Sequence, residues 1–153
     1  VGIFENHVYP DIPGALQTLQ RAGRTLHVVT SKPVVFARTI VEHFNLGPYF
    51  RSVCGPELDD PSPDKGSLIR RALDTEGLAS NDAVMIGDRE YDILGARRNG
   101  IATVGVTWGY GSLSELTAAA PDHIVTSAAE GFSPFASTAL WTASKCCGSV
   151  VFS

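Results

Sequence analysis

The stretch AVMIGDREYD, residues 83–92, decides the fold class of this chain. Its first four residues are apolar, as in a strand that is buried on both faces of a sheet, and a glycine and an aspartate follow where that strand would end. A second aspartate comes four residues after the first, at the predicted start of a helix. A buried strand that leads through a polar turn into a helix is typical of a parallel sheet covered by helices.

Strands and helices alternate on both sides of this stretch. The sequence predicts further strands at residues 26–29, 52–54, 101–106 and 124–125, and helices at 13–22, 33–44, 65–76, 92–99, 112–119 and 127–135. Several of these helices begin beside proline or end beside glycine, which are common helix boundary signals. The alternation predicts an α/β fold, a doubly wound, Rossmann-like parallel sheet with helices on both faces.

The composition is that of one ordinary globular domain. The chain has 153 residues, of which 44% are apolar and 18% charged, and this excludes disordered, collagen-like and coiled-coil classes. A net charge of −4 argues against a nucleic-acid partner. No apolar run reaches the ~18 residues that cross a membrane, and residues 1–11 lack the features of a secretory signal. We therefore expect a cytoplasmic protein without a membrane partner.

The last part of the sequence differs from the rest. From residue 131 onward Lys145 is the only charged residue, and the segment has no helical period. We predict a core domain at residues 1–130 and a divergent, disordered tail at 131–153. The alternative is that the β-branched residues within 149–152 form a strand.

Polar groups follow the predicted strands at the edge where open α/β sheets bind their ligands. Thr30 and Ser31 follow the strand at 26–29 and precede a helix whose first N–H groups are unpaired, which predicts an anion site. The alternative is that Ser31 only caps the helix. Lys65 lies in the first turn of the next helix, where its charge opposes the helix dipole, unless it is a solvated surface lysine.

The most informative candidates are Asp88 and Asp92. Two carboxylates at this spacing supply oxygens of the kind that Mg²⁺ binds together with substrate phosphate and water. The alternative is that Asp92 is a helix N-cap and Asp88 a solvated loop acid. The loop TWGYGS at residues 107–112 follows another strand, and its glycines and aromatic residues suit either a wall over a small ligand or ordinary packing.

In this order, Thr30-Ser31, Lys65, Asp88 and Asp92 resemble the second, third and fourth motifs of the haloacid dehalogenase-like (HAD) hydrolase superfamily. The segments YPDIP (9–13), VVTSKP (28–33), GPEL (55–58) and GVTWGYGS (105–112) are similar to its phosphoglycolate phosphatase-like branch, and the resemblance covers about residues 1–130. It implies an Mg²⁺-dependent phosphomonoester hydrolase that acts on a small phosphorylated metabolite through a phosphorylated aspartate.

The resemblance also implies a role for each residue. Thr30, assisted by the backbone N–H of Ser31, would bind the oxygens of the transferring phosphoryl group, and Lys65 would neutralise their charge. Asp88 would bind Mg²⁺ directly, while Asp92 would support the metal or its waters. All of these roles stabilise charge, which is the main requirement of phosphoryl transfer.

One part of the family pattern is missing from the sequence. Family members begin with an apolar strand, an Asp-x-Asp that contains the nucleophile, and a helical cap domain, but no Asp-x-Asp occurs among these residues. We therefore expect the carboxyl-terminal portion of such an enzyme, inactive by itself. The missing strand would lie between the strands that end at Thr30 and Gly87. Its absence leaves a gap of about 10 Å that the two neighbouring strands must close, another segment must fill, or water must occupy.

Two other classes of protein remain alternatives. A non-catalytic regulatory module could keep the phosphate and metal groups without the nucleophile. A receiver domain also uses aspartate, threonine and lysine on a doubly wound sheet, but there the acidic residues precede the threonine. The motif order in this sequence therefore disfavours a receiver domain.

Overall fold

The computed structural model describes residues 8–61, 63–128 and 149–152. Within them, strands β1 to β6 span Thr25–Val29, Ser52–Cys54, Ala83–Gly87, Ala102–Val106, His123–Val125 and Ser149–Phe152. They form one sheet in the order β2-β1-β6-β3-β4-β5, and every neighbouring pair is parallel. The predicted parallel α/β architecture is confirmed.

Helices cover both faces of this sheet. The described helices α1 to α5 span Ile12–Arg21, Val34–His43, Lys65–Glu76, Glu90–Arg98 and Leu113–Ala119. Val84 and Ile86 of β3 pack with α1 on one face, whereas Ala83 and Met85 pack with α3 on the other. Alternate residues of a strand point to opposite faces, which is why the continuous apolar run in β3 needs helices on both sides. None of the helices in the described ranges combines the length and apolar character needed to cross a bilayer.

The predicted element boundaries are close to the observed ones, with one instructive difference. Helix α3 has the predicted bounds, and the residue directly after it is Gly77, whose positive φ of 66° favours glycine. Helix α4 begins at Glu90, two residues before the predicted start. The carboxylate of Asp92 accepts hydrogen bonds from the turn that precedes it, so Asp92 belongs to the first helical turn rather than to the position before it.

Strand β6 fills the centre of the sheet. Ser149 pairs with Thr25 of β1 and with Ala83 of β3, and the register continues to Phe152, opposite Val28 and Ile86. The expectation of disorder is therefore wrong for these four residues. Unpaired buried backbone groups on β1 and β3 would cost about 1–3 kcal/mol each, which favours any segment with strand propensity that can reach them. Residues 129–148, which include most of the predicted tail and of the last predicted helix, lie outside the described residues, so the domain boundary at 130 stays a prediction.

Candidate active site

A buried ion pair lies directly beneath the carboxyl edge of the sheet. The Nζ of Lys65 is 3.0 Å from Oδ1 of Asp92 and donates a hydrogen bond of 2.7 Å to the carbonyl of Val29. The two side chains are only 4% and 3% exposed. Buried charges are stable only when they are paired, so Asp92 explains why a lysine occupies the first turn of α3. The alternative of a solvated surface lysine is wrong.

Asp92 also shapes the turn that carries Asp88. Its second oxygen, Oδ2, accepts hydrogen bonds of 3.1 Å from the backbone N–H groups of Asp88 and Arg89. A side chain on Gly87 would overlap that of Asp92, so this close approach requires glycine at position 87. Because both oxygens of Asp92 already have protein partners, the geometry makes Asp92 a positioning residue for the turn. This arrangement fits the supporting role more closely than a direct metal contact.

Asp88 is held in place by the glycine-rich loop at residues 107–112. The backbone N–H of Tyr110 donates to Oδ2 of Asp88 at 2.7 Å, while Oδ1 has no partner within the described ranges. A side chain on Gly109 would overlap the Asp88 carboxylate, and one on Gly111 would overlap the Asp88 carbonyl. The glycines therefore allow the loop to lie against Asp88, a function that their sequence pattern alone did not reveal.

A second ion pair ties this turn to the start of α5. The Nε of Arg89 lies 2.8 Å from Oε1 of Glu115, and the same oxygen accepts a hydrogen bond of 3.0 Å from the backbone N–H of Glu90. The hydrogen bonds from Glu90 and Arg89 hold the pKa of Glu115 below its ordinary value, and the bond to Glu115 raises the pKa of Arg89. Sequence reasoning missed Glu115, because only the tertiary fold brings it to the turn.

Thr30 follows β1 at the same edge. Its backbone N–H donates to the carbonyl of Cys54 at 3.0 Å, and its Oγ1 accepts a bond of 3.1 Å from the N–H of Lys32. The Thr30 hydroxyl proton has no acceptor in the part of the chain that the structure describes. Ser31 is exposed, and Pro33 rather than Ser31 occupies the N-cap position of α2, so the capping alternative for Ser31 is wrong.

An open cavity of about 420 Å³ joins Thr30 to Asp88. Lys32, Trp108 and Tyr110 also line it. Apolar side chains of the sheet and helices complete its described wall, among them Ile12, Leu16, Val28, Ile40, Val41, Phe50, Ile86 and Val106. Ser31, Lys65 and Asp92 do not line this cavity. The structure thus brings two predicted site residues to one cavity and places Lys65 and Asp92 behind it.

A larger surface depression, of about 530 Å³, lies over α3 and the end of α4. Its three arginines are each paired with an aspartate on the surface, as Arg70–Asp74, Arg71–Asp60 and Arg98–Asp64. Because these charges already have partners and no candidate site residue lies there, we assign the site to the smaller cavity between Thr30 and Asp88.

The donor set at the cavity can be compared with what Mg²⁺ requires. The described residues contain no cluster of three His, Cys, Asp or Glu side chains. Asp88 offers one carboxylate oxygen without a protein partner. Because Mg²⁺ commonly uses one or two carboxylates and takes its other ligands from water and substrate phosphate, these residues fit a magnesium ion with Asp88 as its direct protein ligand.

Comparison with known proteins identifies the class to which this fold and site belong. The chain matches the haloacid dehalogenase-like hydrolase family over residues 4–106, and it is a member of that family. It is 50% identical over 122 residues to a 5'-nucleotidase from Pseudomonas aeruginosa, covering 80% of this chain and 55% of the relative. It is 30% identical over 125 residues to a phosphoglycolate phosphatase from Vibrio parahaemolyticus, covering 82% of this chain and 55% of that protein.

This chain is also similar in fold to a solved structure. The crystal structure of a predicted phosphatase from Clostridium acetobutylicum superimposes with a TM-score of 0.82 at 45% identity, covering 85% of this chain and 60% of the other. The resemblance stated from the sequence motifs is therefore confirmed. The chain spans about half the length of the curated relatives it matches.

Proposed function

We propose that this chain is the carboxyl-terminal portion of an Mg²⁺-dependent phosphomonoester hydrolase that acts on a small phosphorylated metabolite, as phosphoglycolate phosphatases do. The observation that carries the proposal is the single cavity that both Thr30 and Asp88 line at the carboxyl edge of the sheet. The relatives named 5'-nucleotidase and phosphoglycolate phosphatase support a phosphate monoester as the substrate.

The proposed roles follow from the hydrogen-bonding capacity of each group. The Thr30 hydroxyl donates to a phosphoryl oxygen, and the exposed Ser31 contributes its backbone N–H. Asp88 holds the metal through Oδ1, and Mg²⁺, when bound, supplies positive charge to the phosphoryl oxygens. Lys65 and Asp92 act from behind the cavity by fixing the Val29 carbonyl and the turn that carries Asp88.

Lys32 adds a cation that the motif pattern did not assign. It lines the cavity beside Thr30, and its own N–H fixes the Thr30 side chain through Oγ1. Lys65, in contrast, is buried against Asp92 and Val29. We therefore assign to Lys32 a share of the phosphate neutralisation that the family pattern gives to Lys65 alone.

The described residues that line the cavity include no second carboxylate that could act as the nucleophile. Asp88 is the single carboxylate among the described residues that line the cavity, and its proposed task is to hold the metal. A phosphoaspartyl pathway without a second aspartate has no covalent intermediate, so we propose that the chain alone does not turn over. The same observation favours a second candidate, a non-catalytic module that binds phosphate and metal.

The proposal also includes the binding partner and the cellular location. The partner is a small phosphorylated metabolite rather than nucleic acid or a membrane, in accord with the net charge of −4. A cytoplasmic location is in accord with the sparse cysteines, of which Cys54 is free in the described structure.

The decisive experiment supplies the missing half. Hydrolysis of p-nitrophenyl phosphate is measured for this chain alone and after mixing with a polypeptide that carries the family's apolar strand, Asp-x-Asp and cap. We expect no turnover by the chain alone and Mg²⁺-dependent turnover in the mixture, lost with Asp88→Asn and retained with the exposed control Asp74→Asn. Turnover by the purified chain alone that Asp88→Asn abolishes would mean that another residue is the nucleophile. An inactive mixture that still binds Mg²⁺ and phosphate would favour the non-catalytic module.

A further inference from the structure

The centre of the sheet is a slot between two strands that do not pair with each other. In the described sheet, β1 and β3 are both neighbours of β6, and each pairs in parallel with all four of its residues. β6 is separated in sequence from the rest of the described chain by residues 129–148, whereas β1 and β3 are embedded among their helices. The slot is therefore built by one part of the chain and filled by another.

The carboxyl end of this slot opens at the candidate active site. Phe152 stands opposite Val28 and Ile86, so the next level of the sheet is that of Val29 and Gly87. The residues that follow these two on their own strands are Thr30 and Asp88. In this register, the residue after the last paired position of a parallel strand is level with Val29 and Gly87, and the next residue is level with Thr30 and Asp88, which line the cavity.

The slot favours an apolar occupant, because both faces of the sheet are covered at its position. Leu26 and Val84 belong to the core beneath α1, while Val29 and Met85 belong to the core beneath α3. A strand between them is shielded on both faces, which favours a continuous apolar run. The sequence of β6, SVVF, has three apolar residues, but serine rather than a carboxylic acid follows it.

We propose that the slot between β1 and β3 is a strand-binding site in which β6 competes with a strand from another polypeptide, an apolar parallel strand followed by Asp-x-Asp. The slot is inferred from strand pairing, and the choice of carboxylates rests on the proposed function. Within the described residues β6 completes the sheet, and its sequence, SVVF, contains no aspartate or glutamate. The incoming strand forms the backbone hydrogen bonds that β6 otherwise forms with β1 and β3. It also adds a second carboxylate to the cavity that Asp88 lines.

Competition by β6 should lower the measured affinity of the chain for a free strand. A segment joined covalently to its binding site acts at an effective concentration on the order of millimolar, and a free strand must overcome that advantage. We therefore expect the free strand to bind at least tenfold more weakly to the full chain than to a chain whose own β6 cannot pair. This difference does not depend on whether the complex hydrolyses any substrate.

The test uses a fluorescently labelled peptide, SVVFDLDG, which extends the β6 sequence with Asp-Leu-Asp-Gly, and the matched control SVVFNLNG. Binding is measured for the full chain, for a deletion of residues 149–152, and for Val151→Pro, which keeps the length but removes a ladder N–H. Both altered chains should bind the peptides at least tenfold more tightly than the full chain. If the deletion unfolds the chain, peptide-induced recovery of helical circular dichroism gives its binding curve.

Hydrogen exchange locates the peptide. In the full chain, saturating peptide should remove protection from Ser149–Phe152 while β1 and β3 stay protected. Equal affinity for all three chains, or binding without loss of protection in β6, would overturn the proposal. A dimer seen by light scattering in the full chain and absent in Val151→Pro would also overturn it, because β6 would then be exchanged between two copies of this chain.

Hydrolysis is scored separately in the same mixtures. If SVVFDLDG displaces β6 and no phosphomonoester is hydrolysed, the strand-binding proposal stands and the catalytic proposal is weakened. If the complementing polypeptide of the decisive experiment restores hydrolysis while β6 stays protected, the phosphatase proposal stands and the competition proposal fails.

Discussion

Replacing Lys65 by methionine tests the buried ion pair on which the candidate site rests. Methionine keeps much of the apolar stem but leaves the Asp92 carboxylate buried without its cation. Removing one partner of a buried pair costs about 3–5 kcal/mol. Asp92 retains two backbone N–H partners at 3.1 Å, so we expect a loss near the lower end, about 3 kcal/mol in the free energy of unfolding.

The assay is urea unfolding followed by circular dichroism, with thermal unfolding as a second measure. Domains of this size lose about 2–4 °C of Tm per kcal/mol, so Lys65→Met should lower Tm by about 6–12 °C. Arg70→Met is the matched control, because the Arg70–Asp74 pair is 2.7 Å long but its side chains are 49% and 66% exposed. An exposed pair of this kind contributes at most about 1 kcal/mol.

A double-mutant cycle separates the pair from its surroundings. Lys65→Met combined with Asp92→Leu should be less destabilised than the sum of the single changes by about 1 kcal/mol or more, because the double variant leaves no charge buried. If Lys65→Met changes stability by less than about 1 kcal/mol, no more than Arg70→Met does, the ion pair does not hold the turn and the positioning role of Asp92 is wrong.

Three further predictions concern other contacts. Gly109→Ala should cost about 1–3 kcal/mol in urea unfolding because its Cβ overlaps Asp88, whereas Gly14→Ala, which meets nothing, should not destabilise the protein. Burial lowers the pKa of His27 below its ordinary 6.5, so the unfolded state binds a proton more readily than the folded state. The free energy of unfolding should therefore fall as the pH drops below about 6.5. Urea titrations across a pH series should show a weaker pH dependence for His27→Gln than for the parent chain. Asp64→Ala removes the α3 cap and should cost about 1 kcal/mol in the same assay; no loss would mean that the cap is replaceable.

Local patterns predicted the elements whose structure is decided locally. The apolar run before Gly87 and the glycine after α3 place a strand end and a helix end from neighbouring residues alone. The local sequence at 149–152 favours disorder over a strand, because the strand depends on partners in β1 and β3 that are distant in sequence. Pairing at the centre of a sheet overrides a weak local preference.

The same distinction applies to the candidate site. The position of Thr30 and Asp88 at the carboxyl edge followed from the fold class, since parallel strands present their ends together. That Lys65 turns inward to Asp92 did not follow, because a first-turn lysine has the same sequence pattern whether it is solvated or buried. The ion pair of Glu115 with Arg89 could not be predicted from the sequence either, since only the packing of α5 brings the two residues together.

The central position of β6 sets the order in which this protein folds. The pairings of β1 with β2 and of β3 with β4 join segments about 20 residues apart, whereas β6 meets β1 across about 120 residues. Each doubling of a closed loop costs about 0.6 kcal/mol in chain entropy, so pairing β6 with β1 costs about 1.5 kcal/mol more than forming either of the local pairs. Two half-sheets are therefore expected to form first and to be joined slowly by the strand between them, so the middle of the molecule is the last part to become native.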